Sequence, residues 1–124
     1  MRWLIDTNCC IYLYSGAYPR LTERVLAADV GDIGISAIVL AELSLGSIRG
    51  LAPDPAALDR LIAQLPLLSF DADAARAYAR LPFRRSRFDR LLAAHGMALG
   101  CGIITANLRD FADIPGLVVE DWTA

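Results

Sequence analysis

The chain has no lysine: all 12 of its basic residues are arginine. Response receivers and haloacid-dehalogenase-type phosphatases, which keep a lysine beside the phosphoryl group, are therefore set aside. The phosphatase pattern Asp-x-Asp is missing as well, because Asp6 is followed by Thr7 and Asn8. Histidine occurs once, at His95, and the 3 cysteines include the adjacent pair Cys9 and Cys10. No Cys-x-x-Cys or Cys/His spacing is present, which argues against zinc. An odd number of cysteines without a sensible pairing reads as reduced, buried small hydrophobes in a cytosolic protein. No apolar run reaches the length of a membrane span. Met1-Arg2-Trp3-Leu4-Ile5-Asp6 meets an acid too early for a signal peptide. The expectation is a cytoplasmic protein with no membrane association.

What is present points to one packed domain spanning residues 1–124. A chain of 124 residues, 56% hydrophobic, can bury roughly two-thirds of its unfolded surface. The net charge of −2 excludes a protein that binds nucleic acid by charge alone. The distribution is uneven, however: Arg80, Arg84, Arg85, Arg87 and Arg90 fall close together.

Trp3-Leu4-Ile5 is a short apolar run that predicts a buried strand, with Thr7 or Asn8 available to cap the following helix. Helices are predicted over 8–14 and 21–28. Asp32 to Ser36 alternates as a strand, and Ser36 caps a helix over 37–48. Asp54-Pro55 opens a helix to Gln64, with proline at a position that helices tolerate. Leu67 to Phe70 reads as a strand and Asp71 to Arg80 as a helix. From Ser86 to Leu99, the residues Phe88, Leu91, Leu92, His95 and Leu99 fall on one helical face. Ile103-Ile104-Thr105 is continuously apolar, as buried parallel strands are. Leu117 to Val119 is the last strand. Strands alternating with helices predict an α/β fold: a three-layer α/β/α sandwich with a short, mostly parallel central sheet.

Open parallel sheets bind ligands at the carboxyl ends of their strands. There the sequence places Asp6, with Thr7 and Asn8 following; Ser36, with Glu42 a turn and a half later; and Thr105, followed by Asn107 and Asp110. Asp89 lies near the start of the long helix. Each acid also has a plain structural role open to it. Asp6 can cap a helix, Asp89 has capping-box spacing from Ser86, and Asp110 can be a solvated loop acid. Glu42 stands in the otherwise apolar Ala37–Leu43 segment, sharing a face with Ile38 and Leu45, and a buried acid is costly without a partner or metal. Together these carboxylates repel one another and call for a cation. Hard oxygen donors select Mg²⁺ or Mn²⁺. Such a site can activate water and clamp a phosphodiester. Arg84, Arg85 and Arg87, beside Asp89, are candidates to hold flanking RNA phosphates. His95 falls on the apolar stripe and reads as a packed structural residue. Tyr12, Tyr14, Tyr18 and Trp3 read first as core or interface aromatics.

These motifs resemble the PIN domain, and within it the VapC-type toxins. Leu4-Ile5-Asp6-Thr7-Asn8 is similar to the family's opening strand and first catalytic acid. Ala41-Glu42-Leu43 with Gly46 is similar to its glutamate segment. The strongest match is Arg87-Phe88-Asp89-Arg90-Leu91-Leu92-Ala93-Ala94-His95, continuing to Ile104-Thr105-Ala106-Asn107. Arg109-Asp110-Phe111 and Ile114-Pro115-Gly116-Leu117 resemble the closing segment. The resemblance implies Mg²⁺- or Mn²⁺-dependent endoribonuclease activity on structured or single-stranded RNA, often tRNA or rRNA. It also implies a homodimer and neutralisation by a small VapB-like antitoxin. By the family's pattern, Asp6, Glu42 and Asp89 are metal ligands. Many members carry an aspartate where this chain has Asn107, so Asn107 or Asp110 completes the site. Thr105, Asn8 and Ser36 have supporting roles. An antitoxin helix would fill an apolar groove walled by Tyr12, Tyr14 and the 45–51 region. The alternative is a PIN-like module that binds RNA or protein without cutting, left open by Asn107.

Overall fold

The computed structural model describes residues 1–83 and 88–124. The elements follow in the order β1 (Trp3–Ile5), α1 (Thr7–Ser15), α2 (Pro19–Ala27), β2 (Ile33–Ser36), α3 (Ala37–Ile48), α4 (Pro55–Gln64), β3 (Leu67–Leu68), α5 (Ala72–Ala79), α6 (Phe88–Leu99), β4 (Gly102–Ile104), a 3₁₀ turn (Leu108–Phe111) and β5 (Val119–Glu120). Predicted and observed elements agree closely. The 3₁₀ turn has no counterpart in the prediction, and the last strand sits slightly later than 117–119. Of the predicted 86–99 helix, residues 86 and 87 lie outside the described residues.

The sheet order is β3-β2-β1-β4-β5, and every pairing is parallel. Each residue of β1, β2 and β4 is buried. Because strand side chains alternate between faces, full burial means that helices cover both faces of the sheet. That makes the fold a three-layer α/β/α sandwich.

Short polar side chains start the helices by accepting otherwise orphaned backbone N–H groups. Asp6 caps α1 through Cys9 N at 2.8 Å, and Ser36 caps α3 through Ile38 N at 3.1 Å. Asp54 and Asp71 cap α4 and α5 through Ala57 N and Ala74 N at 2.9 and 3.0 Å. The cap of α1 is thus Asp6 rather than Thr7 or Asn8. Gly16, at φ 70°, ends that helix in the left-handed region, where glycine carries no steric penalty.

The core joins Leu4, Ile5, Ile35, Leu43, Leu92, Ile103, Ile104 and Phe111 around the sheet. The apolar stripe predicted for α6 is only partly buried: Phe88 and Leu99 are exposed, whereas Arg90 and Leu92 through Gly96 are buried. The middle of α6 is wedged among α5, α3 and the sheet, so it is covered on several sides while its ends project. Glu42 likewise does not share a core face with Ile38 and Leu45. Val39 and Leu43 are the buried residues of α3, and Leu45 is exposed. At the far corner, Trp3 meets Trp122 edge-on at 5.5 Å. Trp122 donates to Glu120 at 2.9 Å, and the Arg24 guanidinium stacks over its ring at 4.2 Å.

Candidate active site

The strand order reverses between β1 and β4, which makes their carboxyl ends the topological switch point of the sheet. The acids collect there. Asp6 leaves β1 directly and is buried. Its Oδ1 is occupied by the Cys9 N–H, so it caps α1 and contributes charge to the cleft at once. Thr7 donates from Oγ1 to Glu42 Oε1 at 2.7 Å, tying the start of α1 to the middle of α3. Nothing local in the chain reveals this partner of Thr7, 35 residues away.

On the other side of the cleft, Asp89 projects from the first turn of α6. Its carboxyl is pushed up from 3.8 to about 6. Burial contributes most, followed by a hydrogen bond to Asp110 and by the charges of Asp110, Asp6 and Glu42. Four acids from four separate segments therefore share one electrostatic neighbourhood. Asn107 Nδ2 donates to Asp110 Oδ2 at 2.8 Å, and Thr105 Oγ1 accepts from Asn107 N at 3.0 Å. Asn107 and Asp110 thus form one unit: the amide orients the carboxylate, and the carboxylate faces Asp89. Thr105, fully buried at the end of β4, fixes that unit from behind.

The remaining supporting candidates lie differently. Ser36 is fully buried, and its hydroxyl is within 2.8 Å of His95 Nδ1 as well as capping α3. Asn8 is exposed. His95 is sealed in the core, edge-on to Phe70 at 5.4 Å. Burial lowers its pKa below 6.5, against a raising influence from Asp71 and the Ser69 backbone. It packs as a neutral structural ring, as expected. Cys9, Cys10 and Cys101 are free and buried. Burial and the Asp6 charge raise the Cys9 and Cys10 thiols, so they stay protonated. Arg84, Arg85 and Arg87 lie outside the described residues. Arg90, read from sequence as part of a basic cluster, is instead buried and paired with Asp113.

The donor set suits a divalent cation. It is all oxygen and anionic, and burial together with the neighbouring acids raises the proton affinity of Asp89, a penalty that a hard cation removes. Among the described residues, no three His, Cys, Asp or Glu side chains converge tightly enough to hold an ion without moving. The acids therefore form a loose ring rather than a finished cage. No helix among the described residues is long and apolar enough to cross a membrane.

A PIN-domain family model matches residues 3–117. The tRNA(fMet)-specific endonuclease VapC of Salmonella typhimurium is 30% identical over 98% of each chain. Ribonuclease VapC2 of Rickettsia felis is also 30% identical, over 98% of each chain. Among solved structures, DNA-bound VapBC from Salmonella typhimurium superposes with a TM-score of 0.86 at 30% identity, covering 98% of both chains. VapBC2 from Rickettsia felis, bound to a promoter DNA fragment, superposes with a TM-score of 0.84 at 27% identity, covering 98% of this chain and 99% of that one. From its first strand to the segment before its last, this chain belongs to the PIN-domain family.

Proposed function

We propose that the chain is a Mg²⁺- or Mn²⁺-dependent endoribonuclease, the toxin of a toxin–antitoxin pair. The observation that carries this reading is that Asp89 shares one neighbourhood at the switch point with Asp110, Asp6 and Glu42, burial and then these three acids pushing its carboxyl up to about 6. Asp6, Glu42 and Asp89 would hold the cation, with Asp110, oriented by Asn107, as the fourth charge. When bound, the cation would supply an activated water and neutralise the phosphodiester charge.

The chain's own residues prepare this chemistry. The Cys9 N–H and the Thr7 hydroxyl each fix one carboxylate oxygen, at Asp6 and Glu42, so two of the acids are oriented before substrate arrives. Thr105 and Asn107 do the same for Asp110. Because His95 is walled off in the core, proton transfer at the site falls to carboxylates and water.

Of two relatives at 30% identity, one is named a tRNA(fMet)-specific endonuclease and the other a ribonuclease. That makes tRNA the first substrate to test, within a wider class of structured or single-stranded RNA. The VapBC assemblies support a VapB-like antitoxin as partner, and a homodimer is part of the same reading. The decisive experiment is cleavage of total RNA and of tRNA by the purified protein, with Mg²⁺ or Mn²⁺ and then with EDTA. Asp6→Asn and Asp89→Asn would be run in parallel. Metal-dependent cutting lost in both variants is the expected result. Folded, antitoxin-free protein that cuts neither RNA with either metal would overturn the reading in favour of an inert binding module.

A further inference from the structure

The chemistry above makes no use of Arg90, yet its charge is buried more deeply than any acid of the site, at 2% exposure against 9% for Asp6. An ionised group at that depth is costly unless paired. Its Nη2 donates to Asp113 Oδ2 at 2.5 Å. The pair spans 23 residues of sequence, and its ends sit at telling places. Arg90 directly follows Asp89 in the first turn of α6. Asp113 comes shortly after Asp110, and the intervening segment is pinned by the buried Phe111 and by Ile114 on its far side. The ion pair therefore ties together the two segments that carry the two facing acids.

Those segments have a reason to separate. Asp89 and Asp110 face each other and repel when both are ionised, and they sit on different elements with no short covalent link. Asn107 holds Asp110 to the end of β4. The guanidinium reaches Asp113 through the single donor Nη2, a charge-assisted hydrogen bond that fixes the distance between the two segments.

We propose that Arg90 and Asp113 are positioning residues, a clamp that keeps Asp89 facing Asp110 so that both serve the cation. The inference rests on the metal-dependent reading above. Arg90 touches neither substrate nor cation; it acts through its chain neighbour. An apolar pair of similar volume would preserve packing while losing direction, and this separates a clamp from a mere core contact.

The test uses the full chain carrying Arg90→Met with Asp113→Leu. Thermal melting reports the fold, Mn²⁺ binding followed by electron paramagnetic resonance reports the site without turnover, and steady-state RNA cleavage separates kcat from KM. The expected result is near-wild-type melting, Mn²⁺ affinity at least about tenfold weaker, and kcat reduced similarly with KM little changed. Arg90→Lys, which keeps the charge but not the planar donor that reaches Asp113, should fall between the two. A double variant with wild-type Mn²⁺ affinity and kcat overturns the clamp. Should the double variant fail to fold, Asp113→Asn carries the same comparison: weakened Mn²⁺ binding in folded protein supports the clamp, and unchanged binding overturns it. Failure of the wild type itself to bind Mn²⁺ or cut RNA would instead overturn the nuclease reading, so the two failures are distinguishable.

Discussion

Neutralising Asp89 should stabilise the metal-free protein, although it destroys the proposed activity. In the folded chain this carboxyl is pushed up from 3.8 to about 6, through burial and then through Asp110, Asp6 and Glu42. A folded-state pKa above the unfolded one means that the native state binds the extra proton. Stability is therefore lost as pH rises from about 4 to about 6, and the full cost is present at pH 7. The gap between 3.8 and about 6 corresponds to about 3 kcal/mol at 1.36 kcal/mol per pH unit. Asp89 is only half-buried, so solvent screening reduces this to roughly 1–1.5 kcal/mol. Asparagine removes the charge and keeps a donor for Asp110. Asp89→Asn should then raise the melting temperature at pH 7 by roughly 3–6 °C in EDTA. At pH 4 the two proteins should melt together, because the wild-type acid is by then largely protonated when folded and half so when unfolded. His95, buried and lowered below 6.5, costs stability as pH falls, but it does so equally in both proteins and cancels from the difference. Urea titrations at the two pH values would check the result independently of heat. A variant no more stable than wild type at pH 7 would refute the mutual repulsion, and with it the physical reason for a cation at this site.

Mg²⁺ or Mn²⁺ at a hundredfold excess over its Kd should stabilise the wild type by about 2.7 kcal/mol. Thermal melts should show this gain reversed by EDTA and largely absent in Asp89→Asn. Thr7→Val removes the donor to Glu42 Oε1 and should cost about 1 kcal/mol; urea denaturation and RNA cleavage should both show the loss, while Thr7→Ser should be close to wild type. At Gly102 an added Cβ would lie 2.5 Å from the Trp3 ring and 3.0 Å from the Val118 carbonyl. Gly102→Ala should therefore destabilise by about 1–3 kcal/mol in urea titrations.

The frame of the fold is legible in the sequence because its signals are local. The apolar runs of β1 and β4, the Asp54-Pro55 start of α4 and the cap at Ser36 each act within a few residues. Periodicity, by contrast, says that a face is apolar without saying what will cover it. This is why Phe88 and Leu99 share the predicted apolar face of α6 and yet stay exposed, and why the face that groups Glu42 with Ile38 and Leu45 is not a buried one. The acids themselves were legible as strand-end residues. The contacts that organise them were not, since Thr7 to Glu42, Asn107 to Asp110 and Arg90 to Asp113 depend on tertiary pairing. Arg90 is the sharpest case: among neighbouring arginines nothing marks it as buried, and only the return of the chain at Asp113 makes burial tolerable.

The edge-on pair of Trp3 and Trp122 has a consequence for how this molecule can be watched. These are both of the chain's 2 tryptophans, and they sit 5.5 Å apart at one corner. Intrinsic fluorescence is therefore a single-locale signal, coloured by the Arg24 guanidinium over Trp122 and by the Glu120 carboxylate at its indole N–H. It will report faithfully when β1, β5 and α2 come apart. Rearrangement of the carboxylate ring by an ion will be close to invisible to it, so optical titrations with metal need a label placed at the cleft.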